Sequence, residues 1–189
     1  EITYINHSSV LIESGDTFIW TDPFFSNPAF ETWLPAPPAS IHPAYLLAIS
    51  KAASNFAILI SHGHDDHCDD KLLKLFIDSK IFITEFSSPG VKKRLEGIGF
   101  KDIIELTEEE IDFGDVKLSG FINTDFSLDD SMQLVNCKDV SFLHGNDCWT
   151  TISDKHLGII NATKSNEMIY ASQICGADSW PTGYNCYDI

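Results

Sequence analysis

Phe56-Ala57-Ile58-Leu59-Ile60-Ser61-His62-Gly63-His64-Asp65-Asp66-His67 decides how this chain is read. Its first five residues form an uninterrupted apolar run, as in a strand buried on both faces. Three imidazoles and two carboxylates then fall within six residues, followed by the helical pattern Leu72-Leu73-Lys74-Leu75-Phe76-Ile77. The polar cluster therefore lies on a strand-to-helix loop, where function concentrates. Imidazole together with carboxylate suits zinc, iron or manganese. In an extended loop, residues i and i+2 point to one side, so His62 and His64 can share one metal. Asp66 and His67 lie just beyond and can reach a second. The competing reading is a polar loop that is rich in histidine by chance. The placement between a buried strand and a helix favours the metal.

Composition narrows the function classes. With 189 residues, 43% of them hydrophobic, and no internal repeat, the sequence reads as one globular domain over residues 1–189. The formal net charge of −16 argues against nucleic acid and against an anionic membrane surface as partners. It leaves a small-molecule substrate. No apolar stretch approaches the roughly 20 residues of a bilayer span, and no basic-then-apolar leader opens the chain. The first residue is Glu1 rather than Met, so a longer or processed gene product is expected. The five cysteines (Cys68, Cys137, Cys148, Cys175 and Cys186) are odd in number and form no C-x-x-C pair. Reduced thiols in a cytoplasm are the simpler reading. Cys68 and Cys148 adjoin the proposed ligands and are expected to be small buried neighbours rather than ligands.

Pattern and punctuation give the remaining elements. Near the start, Ser14-Gly15-Asp16 reads as a turn. Residues 23–43 are rich in Pro and aromatics and read equally as a substrate lid or as a packed surface loop. Helices are expected over 44–54, 69–79, 89–96 (stopped by Gly97 and Gly99) and 153–162. Strands are expected over 80–84, 103–106, 111–113, 116–122, 132–135, 140–143 and 168–172. Hairpins interleaved with helices fit two sheets with helices outside.

The His-x-His-x-Asp-His run, the Asp22-Pro23 strand end and Val140-Ser141-Phe142-Leu143-His144-Gly145-Asn146-Asp147 together resemble the metallo-β-lactamase superfamily. The resemblance implies an αββα sandwich, C-terminally truncated if the last ligand lies beyond Ile189. It implies that His62 and His64 hold the first metal, that Asp66 and His67 hold the second, and that Asp147 bridges them. A third ligand is expected between the motif and Asp147, where no histidine occurs from Cys68 to Leu143. Asp125 lies near that place, with Asp129 and Asp130 as competitors, or these carboxylates simply solvate a loop. A carboxylate there would shift preference from zinc toward iron or manganese. The family's last histidine also has no counterpart, since only His156 follows Asp147 and it falls in a helical segment. His144 reads as a core histidine or as a support for the site. His7 is assigned no role, and His42 is expected to be exposed. Asp129-Asp130-Ser131, Asn146-Asp147-Cys148 and Gly176-Ala177-Asp178-Ser179-Trp180-Pro181 resemble the branch of CMP-N-acetylneuraminate hydroxylase-like and ascorbate-phosphate lactonase-like domains.

The leading functional expectation is a hydrolase that uses one or two divalent metals, zinc first, with Asp66 orienting the attacking water and taking its proton. The alternatives are a di-iron oxygenase or hydroxylase-like metal domain, and a degenerate metal-binding domain. No Cys/His iron–sulfur spacing occurs in the chain, so an oxygenase would need an electron donor located elsewhere. Trp180 and Tyr184 are expected to wall the substrate, against the alternative that they pack the C-terminal segment.

Overall fold

Strands β1 (Ile2–Asn6), β2 (Ser9–Ser14) and β3 (Thr17–Thr21) form an antiparallel meander. β3 then pairs in parallel with β4 (Asn55–Leu59), and the parallel run continues through β5 (Lys80–Thr84) to β6 (Ile103–Leu106). The second sheet is built from β7 (Ile111–Phe113), β8 (Val116–Ile122), β9 (Ser131–Asn136) and β10 (Val140–Asn146), all antiparallel, with β11 (Glu167–Ser172) added in parallel beside β10. Helices α1 (Pro43–Ala52), α2 (Asp70–Leu73) and α3 (Pro89–Ile98) make the crossovers of the first sheet, and α4 (Asp154–Ala162) links β10 to β11. The computed structural model describes residues 1–25, 27–85, 89–122, 131–148, 154–162 and 167–172.

The layering follows from alternation along the strands. On the first sheet Ala57, Leu59, Ile19 and Phe82 face Phe113, Leu118, Val135 and Phe142 of the second, closing the core between the sheets. Their neighbours Ile58, Ile60, Trp20 and Ile81 face the other way, against Leu46 of α1, Leu73 and Phe76, and Leu95 of α3. Strands β4 and β5 are thus covered on both faces, which is why they read as continuous apolar runs. Phe121, Met132, Leu134 and Leu143 form a further cluster on the second sheet, out of phase with its inner face. The result is the αββα sandwich that the sequence implied.

All four helices differ from expectation at their ends, α1 (Pro43–Ala52) and α4 (Asp154–Ala162) by only one or two residues. The helix expected over 69–79 is one turn, Asp70–Leu73, followed by a 3-10 turn at Lys74–Phe76. Asp69 caps it, accepting the N–H groups of Lys71 and Leu72 at 3.1 Å. Beyond it Asp78 and Ser79 are weak helix formers, and the Ser79 N–H closes on Phe76 instead. The tighter turn seats Phe76 against Trp20, with ring centroids 5.0 Å apart. Helix α3 runs through Gly97 to Ile98 and ends at Gly99 alone, whose φ of +123° suits glycine. Among the described residues no helix is long and apolar enough to cross a membrane.

Candidate metal centre

The carboxyl ends of parallel strands β3 and β4 lie side by side, with Thr21 opposite Leu59. Open sheets place their sites at such edges. Strand β3 ends in Asp22 and β4 leads into Ser61 and the histidine loop. A polar layer from the second sheet holds the departing backbone: Gln133 donates Nε2 to the Ile60 carbonyl at 2.7 Å, and Ser131 donates its hydroxyl to the Ser61 carbonyl at 2.7 Å. These bonds satisfy carbonyls that have left the ladder.

Asp22 organises the floor of the site. It is fully buried and has a φ of +37°. Its Oδ1 accepts the Ser61 N–H at 2.8 Å. Its Oδ2 meets the Ser61 hydroxyl at 2.8 Å, His67 Nδ1 at 2.8 Å and His144 Nε2 at 2.7 Å. Burial alone would raise its pKa, but His144 and His67 hold it far below the usual carboxylate range. The proton positions follow. Ser61 has one hydroxyl proton, and Asp22 takes it. The Ser61 oxygen must therefore accept from His62 Nδ1, 3.0 Å away. His67 likewise donates Nδ1–H to Asp22. Both rings are left with Nε2 facing the cleft, which is how histidine ligands are commonly fixed.

Above this floor the predicted ligands converge. His62 Nε2 lies 2.8 Å from His64 Nδ1. Asp147 stands between the two halves of the motif, with Oδ2 3.6 Å from His62 Nε2 and Oδ1 3.5 Å from His67 Nε2. Asp66 Oδ2 lies 3.7 Å from His67 Nε2. His62 and His67 are fully buried, Asp66 is nearly so, Asp147 is half-buried and His64 is exposed. Burial opposes a positive charge on His67, yet Asp22 and Asp147 raise its pKa well above 6.5. For His62, burial and then His67 push the pKa down to about 3. Asp147 is lowered to about 2 because His67 and His62 outweigh its burial. A proton on His67 offsets only one of the three carboxylate charges of Asp22, Asp66 and Asp147, and a divalent cation offsets more.

The donor set fits a metal. Asp66 Oδ1 and His67 Nε2 are buried without a hydrogen-bond partner among the described residues, a costly state unless a ligand completes them. His62, His67 and Asp147 offer atoms within 4.8 Å of one another, as do His7, Asp66 and His67. The donors are nitrogen and oxygen only. Cys68 is buried, and burial pushes its thiol up to about 12, so it is not poised as a thiolate ligand.

Neighbouring segments fix the loop. Arg94 on α3 donates to Asp70 at 2.7 Å, to Asp65 at 3.0 Å, to the Cys68 carbonyl at 2.9 Å and to the Gly63 carbonyl. A side chain at Gly63 would displace Val91, because a Cβ there would lie 2.9 Å from Val91 Cγ2. At the end of β10, Asn146 takes a φ of +37° and accepts the Asp147 N–H at 2.6 Å, turning Asp147 toward the histidines. The Pro-rich segment lies over the His64 side: the Phe30 ring is 6.0 Å from His64 and its N–H is 3.4 Å from Asp65.

The five residues expected as ligands in the described region (His62, His64, Asp66, His67 and Asp147) therefore lie side by side. Asp125, with Asp129 and Asp130, and Trp180 with Tyr184 lie outside the described residues. Sequence reasoning passed over Asp22, Ser61 and Arg94. Only the Asp-Pro at a strand end hinted at the first. His144 is both readings at once, a buried histidine that braces Asp22. His42, exposed as expected, also caps α1, accepting the Ala44 N–H at 3.1 Å.

A family model described as the beta-lactamase superfamily domain matches residues 1–163. The chain belongs to that superfamily. Among curated proteins, one of Mycolicibacterium smegmatis named "Putative Rieske 2Fe-2S iron-sulfur protein" is 27% identical over 110 residues, 57% of this chain and 20% of that protein. Cytidine monophosphate-N-acetylneuraminic acid hydroxylase of Asterias rubens is 37% identical over 108 residues, 53% of this chain and 15% of that enzyme. The chain thus matches a fifth or less of these relatives' length. Among solved structures, a possible metal-dependent hydrolase from Veillonella parvula superposes with a TM-score of 0.67 at 17% identity, covering 88% of this chain and 69% of that one. CmlA, a diiron β-hydroxylase from Streptomyces venezuelae, gives 0.61 at 19% identity, covering 86% and 32%. These two structures share the superfamily domain's fold with this chain. The superfamily domain binds one or two metal ions and is enzymatic, with hydrolases and hydroxylases both among its relatives.

Proposed function

We propose that the cleft is a two-metal centre serving oxidative hydroxylation of a small molecule. The observation that carries this reading is the 37% identity to a hydroxylase. The donor set agrees with it, because three imidazoles and carboxylates without a thiolate accommodate iron as readily as zinc. Iron, when bound, would supply one-electron redox capacity for dioxygen chemistry. Electrons would come from a donor other than residues 1–189. The similarity to a protein named for a Rieske cluster suggests its type.

The chain's own residues have definable tasks. Asp22, through Ser61 and directly at His67, keeps Nε2 of His62 and of His67 turned toward the proposed metal positions, where His67 would give up its proton to bind. Asp147 would be shared between the two positions. Asp66, ionised and with a buried unpartnered oxygen, would hold or pass a proton beside the reacting atoms. Phe30 would limit water on the His64 side. The charge of −16 disfavours nucleic acid as the substrate.

Hydrolysis is the second reading, favoured by Asp66 Oδ1. A buried carboxylate oxygen without a partner suits orienting a water whose pKa a metal has lowered to about 7. Metal analysis of protein purified without added metal separates the two. Iron near two per chain, with a visible charge-transfer band, supports hydroxylation. Zinc together with ester or lactone turnover moves the assignment to hydrolysis. No bound metal refutes both.

A further inference from the structure

His7 lies outside the motif, at the tip of the β1–β2 hairpin, yet its imidazole points into the cleft. Its φ is +41°, a left-handed conformation that costs an L residue energy and that Asn or Gly would adopt more cheaply. The flanking residues hold it there. Asn6 donates Nδ2 to the Phe24 carbonyl at 2.9 Å, and Ser9 donates its hydroxyl to the Thr21 carbonyl at 2.9 Å. In that conformation Nε2 of His7 lies 3.0 Å from Asp66 Oδ2, and the ring meets His67 edge-on with centroids 5.1 Å apart.

The His7–Asp66 separation is that of two ligands on one ion, and the Asp66–His67 separation is a few tenths of an ångström longer. Atoms bound at about 2.1 Å stand roughly 3.0 Å apart at right angles and roughly 3.4 Å apart in a tetrahedron. The observed values are 3.0 Å for His7–Asp66 and 3.7 Å for Asp66–His67, and all three donor atoms fall within 4.8 Å. A simple hydrogen bond from His7 to Asp66 would account for the first contact. It leaves Asp66 Oδ1 and His67 Nε2 buried and unpartnered. An ion at the centre of the triad accounts for His67 Nε2 and for the strained turn together.

We propose that His7 is a protein ligand of the second metal position, joining Asp66, His67 and the shared Asp147 in a nitrogen–oxygen site. This rests on the motif holding metal, as above, but not on which metal or which reaction. It supplies an imidazole from the first hairpin at the position for which the family resemblance expects a histidine after Asp147.

Cobalt(II) is the probe, titrated into the metal-free chain and into His7→Ala and His7→Gln variants, each checked for fold by its melting curve. Wild type should take up two cobalt ions. Both variants should retain the first and bind the second at least about 10-fold more weakly. The visible ligand-field band should change, and proton NMR should show one hyperfine-shifted imidazole spin system fewer. Gln keeps a donor toward Asp66 but is no imidazole. A Gln variant with wild-type loading and spectrum would make His7 a positioning partner of Asp66 only and would overturn the proposal. Unchanged loading and spectrum in the Ala variant would overturn it as well. Failure of wild type to bind cobalt would overturn it together with the metal reading. Two ions bound identically in every variant would overturn His7 alone.

Discussion

Replacing Asp22 with Asn removes one charge and two lone pairs from the floor of the site and leaves its volume unchanged. The carboxylate accepts from the Ser61 N–H on one oxygen and from Ser61 Oγ, His67 and His144 on the other. An Asn amide has two ways to sit. With its NH2 at the Oδ1 position, it opposes the buried Ser61 N–H, and an unpaired buried donor costs about 1–3 kcal/mol. With its NH2 at the Oδ2 position, it opposes three donors at once. In the first orientation the surviving bonds to the imidazoles lose their charge assistance, which halves their strength; in the second they are lost. The total is about 3–5 kcal/mol, the range for breaking a buried ionic contact. In a domain of this size that lowers the melting temperature by roughly 6–20 °C. The same change frees His62 and His67 to adopt the wrong tautomer, so metal affinity should fall about 10–100-fold. Thermal melts with and without metal, and competition with a chelating dye, measure both. An Asp22→Asn protein with wild-type melting temperature and metal affinity would refute the reasoning.

Arg94→Gln removes the clamp on Gly63, Asp65 and Cys68; amide exchange across residues 63–70 should quicken while the β4 amides stay protected, and equal exchange in both proteins would count against the clamp. His62 has a folded pKa of about 3 against 6.5 unfolded, so the unfolded chain binds the extra proton as pH falls between those values. The metal-free domain should therefore lose stability from pH 6.5 toward 3. His62→Gln should flatten that slope in melts run with chelator, and parallel curves would exclude His62 as a cause. Cys68, with its thiol pushed up to about 12, should resist iodoacetamide at pH 8 in the folded chain and react once unfolded; mass spectrometry showing rapid native labelling would contradict its burial.

The sandwich and half of the site were legible because their causes are local. Continuous apolar runs mark β4 and β5 as strands covered on both faces, and the spacing of His62, His64, Asp66 and His67 sets which side chains share a side of the loop. Asp147 was legible only through family resemblance, since nothing in its neighbourhood says that β10 ends beside the motif. Asp22 and Ser61 were missed because their importance lies in a parallel pairing, Thr21 beside Leu59, between residues far apart in sequence. His7 was missed for a similar reason. Its relevance depends on a left-handed backbone at one hairpin residue, and a polar residue in a turn predicts no such thing. The shortened helix after Asp69 reflects a packing demand, Phe76 reaching Trp20, that overrides the apolar periodicity.

The central claim is that the motif loop and Asp147 form one metal centre, and anomalous diffraction from a metal-loaded crystal tests it most directly. The account predicts a peak among His62, His64 and Asp147 and a second among Asp66, His67 and Asp147. A loaded crystal with no anomalous density in this cleft, or with its density elsewhere on the molecule, would contradict it.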